Sequence, residues 1–470
     1  METIIASVND IVWGAPALIL ILGVGLYLTC RLRLAQFSLF PEALKGFLLQ
    51  FLPDKQRTGQ DSSFQALCAA LAATVGTGNL VGVAGAICLG GPGSVFWIWI
   101  CGLLGMVTKY AEAVLAVRYR VRTAEGYTGG PMYMIVQGLT GKYHFLAYLY
   151  AFFGVIASFG VGNITQIHAA RNGINDVLTV LGWHTGQFSD LLLAVLFAAV
   201  LGVFLYGGAK RIYAAAERLV PFAAAGYILL CAGVLCLKWQ MLPQAFSQIL
   251  QGAFSPRAVT GGMIGSSFQA LRIGCSRGVF TNEAGMGTAS IAHGGAEVVH
   301  PVRQGMMGIM EVFWDTIVIC TLTALVILVS GVPIPYGMDA GGQLTSRAFS
   351  SVYGAGALLW LAVLLTLFAA ATVMGWGLYG ARCAEFLFGG RVWRYFAAFQ
   401  ILAMVFGSYL ETPTVWQLAE AVNGLMAIPN LIALAALTPE VCRLTKEYKK
   451  TGKSKAGGGN YANFHQCKPL

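Results

Sequence analysis

Charge is what this chain has least of. Only 11% of its 470 residues are Asp, Glu, Lys or Arg, against about 25% in a soluble globular protein, which excludes an assembly of soluble domains. Cysteine is present but without pattern. The 11 cysteines stand singly in apolar runs, as at Cys68, Cys101, Cys231, Cys236 and Cys320, and none form a Cys-x-x-Cys pair. That spacing excludes a disulfide framework and a zinc site and reads the thiols as small hydrophobes in helices. No His-Glu-x-x-His or Gly-x-Ser-x-Gly occurs, and the six histidines do not cluster, so no enzyme, catalytic residue or bound cofactor is expected. The first ten residues, METIIASVND, hold no lysine or arginine. A cleaved signal peptide begins basic, so the apolar run Ile11 to Cys30 reads as an uncleaved first span.

What is abundant is apolar: 57% of residues are hydrophobic and the mean hydropathy is +0.69. Runs of about 20 apolar residues, the length a spanning helix needs, occur eleven times: near 11–30, 64–88, 94–117, 145–168, 190–207, 212–237, 258–290, 305–331, 354–380, 393–410 and 414–437. Basic residues orient them. Arg171, Lys238, Arg257 and Arg347 fall on one face, Lys109, Arg272 and Arg277 fall within spans, and the rest lie on the opposite face. This places the N-terminus outside and the C-terminus in the cytoplasm of a multi-pass protein of a prokaryotic plasma membrane. The net charge of +10 then follows from the positive-inside bias and calls for no nucleic-acid partner. The basic tail, 438–470, is either a solvated disordered segment or a contact for anionic membrane lipid. Two connecting stretches, Phe37 to Leu52 and Leu242 to Pro256, are amphipathic and suit helices lying at the membrane surface.

One span is badly built for hydrocarbon. In LAATVGTGNLVGVAGA, Leu71 to Ala86, the centre is Gly76-Thr77-Gly78-Asn79. Inside a bilayer an unwound turn survives only where protein buries it or where it lines a cavity. The carbonyls freed at Ala73 and Gly76 suit a cation, and the N–H groups freed at Thr77 to Asn79 suit a carboxylate. A second interruption is expected in the seventh span, where Gly274, Gly278, Gly285 and Gly287 accompany Arg272, Arg277, Asn282 and Glu283. Glycines in membrane helices also permit close packing, but breaks at the first of five spans in two successive sets point to a transporter's midplane site. Five spans per set makes the halves inverted. A channel would want a symmetric pore lining instead.

The blocks QALCAALAATVGTGNLVGVAGAICLGGPGSVFWIW, GNITQ, GGAKRIYAAAERLVP, RGVFTNEAGMGTASIAH, FWDTIVICTLTALVIL and TVMGWGLYGARCAEFLFG resemble the bacterial and archaeal alanine or glycine:cation symporter family, from about Asp61 to Pro429. The resemblance implies an all-α integral membrane protein with a leucine-transporter-like five-plus-five inverted repeat behind one extra N-terminal helix. The divisions would be 1–60, a first repeat 61–237, a second repeat 238–437, and the tail. It implies import of alanine or glycine with sodium as the coupling ion; the alternatives are serine or another small neutral amino acid, or a proton as the driving ion.

Several residues follow as candidates. Thr74, Thr77, Gly78 and Asn79 would form the carboxylate end of the site, Thr74 and Thr77 lying on one helical face; Thr74 could equally bond its own helix. Gln166, three residues after Asn163, falls where the family's substrate-contacting glutamine does, and its amide suits either a zwitterion or an interhelical bond. Gly274, Ser276 and the backbone to Gly278 would accept the substrate ammonium. Thr372, with the Ala73 and Gly76 carbonyls, is the sodium candidate, since hard cations take oxygen ligands; relatives often have Ser-Thr where this chain has Ala371-Thr372. Trp376 would wall the pocket or simply pack. Lys109 and Glu112 read as an internal ion pair at i, i+3, Arg277 and Glu283 as members of structural or gating pairs, and Asp315 as a structural hydrogen-bonding group or a residue that steers cations.

Overall fold

From Ala66 to Ala73 five of the second span's eight residues are buried alanines, Ala66, Ala69, Ala70, Ala72 and Ala73, which give it small faces between Leu67, Cys68 and Leu71. Small faces like this let helices approach until backbones touch. Here the ninth span does so. A Cβ added at Gly375 would stand 2.9 Å from the Ala73 nitrogen.

The computed structural model describes residues 14–51, 60–123, 126–183, 186–254, 267–338, 341–407 and 412–454. The start of the first span, Lys55, Arg57, Arg257, the entry to the seventh span and the tail beyond 454 lie outside these. Helices dominate, with one hairpin pairing Val121–Thr123 with Gly126–Thr128. Among the described residues seven helices are long and apolar enough to cross a bilayer, and the bent pair Ser62–Thr74 and Gly78–Gly90, inclined at 48°, makes an eighth if it is one span. Helices stand at the other expected places too: Pro16–Arg31, Ser267–Asn282 with Thr288–Gly294, and Trp393–Gly407 are shorter.

Packing follows the two five-span sets. The third span, Ser94–Arg118, lies against the eighth, Pro301–Val329; the fourth, Phe145–Val180, against the ninth, Gly356–Phe388; and the fifth, Gln187–Tyr206, against the tenth, Trp393–Gly407. The fourth also meets the eleventh, Thr412–Ser454, as the ninth meets the sixth, Gly208–Leu237. Exchanging each span with the one five places on turns each contact into another of the set, which is the signature of a repeat.

Two helices outrun their expected lengths. The fourth continues to Val180 because its polar end is held outside the apolar run, Asn175 donating to Asp190 at 2.7 Å. The eleventh spans 43 residues, about 65 Å, against a hydrocarbon core of about 30 Å. Its far end therefore stands beyond the bilayer, where Lys449 reaches Ser38 at 2.9 Å. The amphipathic stretches form helices Phe40–Leu48 and Leu242–Phe254.

Spans 2, 3, 7 and 8 are joined by one buried chain of side chains. Ser63 Oγ donates to Gln304 Oε1 at 2.6 Å, Gln304 Nε2 meets His293 Nδ1 at 2.7 Å, and His293 Nε2 meets Glu311 Oε2 at 3.0 Å. Lys109 Nζ closes the chain on Glu311 Oε1 at 2.7 Å. With the His293 proton on Nε2, every donor faces an acceptor. Lys109 thus pairs with Glu311, not with Glu112: spacing puts Lys109 and Glu112 on one helical face, while neighbouring helices decide what each meets. Removing one member of a buried pair leaves the other charge uncompensated, at about 3–5 kcal/mol. Glu311→Ala is therefore expected to lower the thermal unfolding midpoint of the purified protein in detergent sharply, and the double replacement Lys109→Met with Glu311→Leu to recover most of the loss. A Glu311→Ala protein that melts like the wild type would show that the chain does not tie the four spans together.

Candidate binding site at the broken spans

The second span unwinds at Val75 and Gly76 and resumes as a π turn, Gly78–Gly82. π turns are rare and concentrate at functional sites. Two more occur beside it, Gly160–Ile164 in the fourth span and Phe313–Cys320 in the eighth. Polar side chains connect all three.

Thr77 Oγ1 donates to Gln166 Oε1 at 3.1 Å, joining the break to the fourth span. The Gln166 amide is itself aimed by the π turn, since its Nε2 donates to the Val161 carbonyl at 3.0 Å. Trp376 closes one side. It is almost wholly buried and lies so tightly on Gly162 that a Cβ there would fall 2.0 Å from the Trp376 Cβ. Gly78 faces the seventh span, where an added Cβ would meet Thr281 Cγ2 at 3.5 Å.

On the ninth span Thr372 sits against the break: a Cβ on Gly76 would come 2.7 Å from its Oγ1. A threonine within a helix ordinarily bonds its hydroxyl to the carbonyl four residues back. Thr372 Oγ1 is buried and has no hydrogen-bond partner among the described residues. An orphan oxygen beside an unwound turn fits a small hard cation, which takes oxygen ligands. The Gly76 carbonyl already accepts the Asn79 N–H at 3.3 Å, which leaves its second lone pair.

Other candidates are placed differently. The Thr74 hydroxyl turns back on its own helix, to the Ala70 carbonyl at 3.3 Å. Asn79 presents no free amide to the site, because its Oδ1 accepts the Gly76 N–H at 2.8 Å and its Nδ2 donates to Asp315 Oδ1 at 2.7 Å. Asn163 bonds across to the Gln400 carbonyl at 2.8 Å. The expected ammonium acceptor at Gly274, Ser276 and Gly278 is corrected: Ser267–Asn282 runs through those positions as unbroken helix, so their carbonyls belong to its own ladder. Gly274 is a packing glycine, its missing Cβ being replaced by the Ser94 carbonyl and Trp97.

The seventh span breaks later, at Glu283 to Gly287. Glu283, Gly285 and Gly287 take φ of 52°, 94° and 82°, left-handed values that two glycines supply without steric cost. Glu112, from the third span, holds the opened turn. Its Oε1 accepts the Gly285 N–H at 3.0 Å, the Gly287 N–H at 3.1 Å and Asn430 Nδ2 at 2.8 Å. Glu283 accepts the Thr288 hydroxyl at 2.7 Å. Neither Asn430 nor the chain through His293 and Gln304 carries a sequence signal, because each is defined by a partner over a hundred residues away or by a turn that only the fold closes.

Comparison with known proteins meets this geometry from the other side. Residues 1–461 match the model of the sodium:alanine symporter family. Among similar proteins are an uncharacterized transporter of Haemophilus influenzae, 42% identical over 95% of this chain and 96% of its own, and the sodium/alanine symporter AgcS of Methanococcus maripaludis, 40% identical over 97% and 98%. The probable sodium/glutamine symporter GlnT of Bacillus subtilis is 35% identical over 96% and 92%. Among solved structures, MhsT in complex with L-phenylalanine superposes with a TM-score of 0.53 at 13% identity, covering 82% of this chain and 97% of that one, which establishes the leucine-transporter type of fold. The chain is a multi-pass membrane transporter, not an enzyme, and belongs to the sodium:alanine symporter family.

Proposed function

We infer that this transporter imports a small neutral amino acid, alanine or glycine, together with sodium, by alternating access. The observation that carries this reading is the buried, unpartnered Thr372 hydroxyl set against Gly76 at the break of the second span. Sodium there would lie among the Thr372 oxygen and the Ala73 and Gly76 carbonyls. The amino acid would lie on the other side of the break, its carboxylate toward Thr77 and Gly78 and its polar ends toward the Gln166 amide. The N-terminus would face outside and the basic loops the cytoplasm.

Size selection supports a small substrate. Trp376 packs on Gly162 beside the break and would bound the substrate's side chain on that side, and one relative is named for glutamine. Thr77, Gln166, Thr372 and Trp376 are each at most 5% exposed. Substrate therefore needs a conformational step to enter or leave. An ion that completes the site shifts that equilibrium only through its differential affinity for the two states, and sodium and amino acid must tighten each other's binding by one factor.

Three measurements test the reading in proteoliposomes with labelled alanine. Under an inward sodium gradient, uptake is expected and excess glycine is expected to suppress it; a proton gradient without sodium should leave uptake at the background of empty liposomes. Thr372→Ala is expected to raise the sodium concentration for half-maximal uptake by about tenfold, the range of a coupling of 1–3 kcal/mol, while Thr372→Ser, which keeps the oxygen, should stay near wild type. Equal sodium activation in all three proteins would remove Thr372 from the ion site. Trp376→Ala should admit larger side chains: glutamine competes poorly against alanine in the wild type and should compete well in the variant. If glutamine already competes as strongly as glycine in the wild type, Trp376 does not set substrate size.

A further inference from the structure

Among the described residues four carboxylates are buried in the spans. Glu311 is paired with Lys109. Glu112 takes two backbone N–H groups and Asn430 on one oxygen, and Glu283 takes the Thr288 hydroxyl within the same turn. Asp315 is fully buried and, like Glu112 and Glu283, forms no ion pair among the described residues and accepts from neutral groups, Asn79 Nδ2 at 2.7 Å and Thr316 Oγ1 at 2.7 Å; what sets it apart is where Asn79 leads.

A carboxylate buried without a fixed cation is a natural counterpart for a mobile one, so its position matters. Asp315 lies one side chain behind the break of the second span. Asn79 bridges the two, with its Nδ2 on Asp315 and its Oδ1 on the Gly76 N–H at 2.8 Å. Hydrogen bonds in series polarise one another: a carboxylate on the amide nitrogen makes the amide oxygen a stronger acceptor and fixes the Gly76 peptide more firmly. The Gly76 carbonyl, in the next peptide unit, accepts the Asn79 N–H at 3.3 Å, and Gly76 is the residue set against Thr372 Oγ1.

We propose that Asp315 is the positioning residue of the ion site: acting through Asn79 it holds the Gly76 peptide in place and supplies the negative charge that a cation bound beside Gly76 and Thr372 balances. The assignment rests on the sodium-coupled reading above and adds to it the residue that makes the break selective for a cation. It acts on the ion first and on the amino acid only through the ion.

The test is the sodium activation curve of alanine uptake in proteoliposomes, with the alanine curve taken separately at saturating sodium. Asp315→Asn is expected to raise the sodium half-saturation about tenfold, within the usual span of site coupling, and to leave the alanine half-saturation at saturating sodium within about twofold. A merely structural role would lower the maximal rate and leave the sodium half-saturation alone. Adding Asp315→Asn to Asn79→Ala should raise it no further than Asn79→Ala does, because the carboxylate acts through that amide. Should Asp315→Asn not elute as a single species, Thr316→Val decides instead, since it removes only the hydroxyl on the far oxygen; a rise of about threefold supports the assignment. Sodium-dependent uptake in the wild type with an unshifted sodium half-saturation in the decisive variant overturns the Asp315 assignment alone. Wild-type uptake without sodium activation overturns the sodium reading, and this inference with it.

Discussion

Backbone N–H and C=O groups inside a bilayer have no water to turn to, and each break in this fold is tolerated because side chains, directly or in series from another span, take up what it releases. At the first break the Gly76 N–H goes to Asn79 and, through it, to Asp315 on the eighth span. At the second, the Gly285 and Gly287 N–H groups go to Glu112 on the third span. The third and eighth spans are counterparts five places apart. Each half therefore lends an acid to the break in the other, and the exchange that relates the helix contacts relates these polar clasps as well. The difference between the clasps is chemical: Glu112 touches the opened backbone directly, whereas Asp315 reaches it through an amide.

That reciprocity binds the four spans into one body. The chain from Ser63 through Gln304, His293 and Glu311 to Lys109 crosses the same helices at other positions. Partial satisfaction of such a chain would be worse than none, because an unpaired polar group in a low dielectric costs more than its bond contributes. Complete satisfaction makes the arrangement hard to deform piecemeal. Where this body meets the fourth and ninth spans stand the Thr77–Gln166 hydrogen bond and the approach of Gly76 to Thr372; a change of state that moves those spans must remake both.

The spans were legible because hydrocarbon demands long apolar runs, and the first break because Gly-Thr-Gly-Asn has no other reason to sit in one. The second break was legible as to its span and misplaced within it. Glycine serves both packing and unwinding, and sequence alone does not separate Gly274, which replaces its Cβ with the backbone of the third span, from Gly285 and Gly287, which adopt left-handed φ. Partner choice was hidden for a similar reason. The i, i+3 spacing of Lys109 and Glu112 fixes that they share a face, but Lys109 is drawn to Glu311 and Glu112 to the opened turn only once the eighth and seventh spans arrive. Asn79 looked like a donor for a ligand and is instead consumed by the break it belongs to.

The π turns explain why the polar layer was the least legible part. A helical wheel drawn at 3.6 residues per turn assigns faces correctly only while the register holds, and the second, fourth and eighth spans each lose it at the level where their polar side chains meet. In the fourth span the shift lets Gln166 reach the carbonyl of Val161, five residues back, and presents its oxygen to Thr77. In the eighth it brings Asp315 to Asn79. Each turn thus aims a group whose partner stands on another interrupted span, so none of the three would be worth its lost helical bonding alone. The irregularities support one another, and the site is a property of the set.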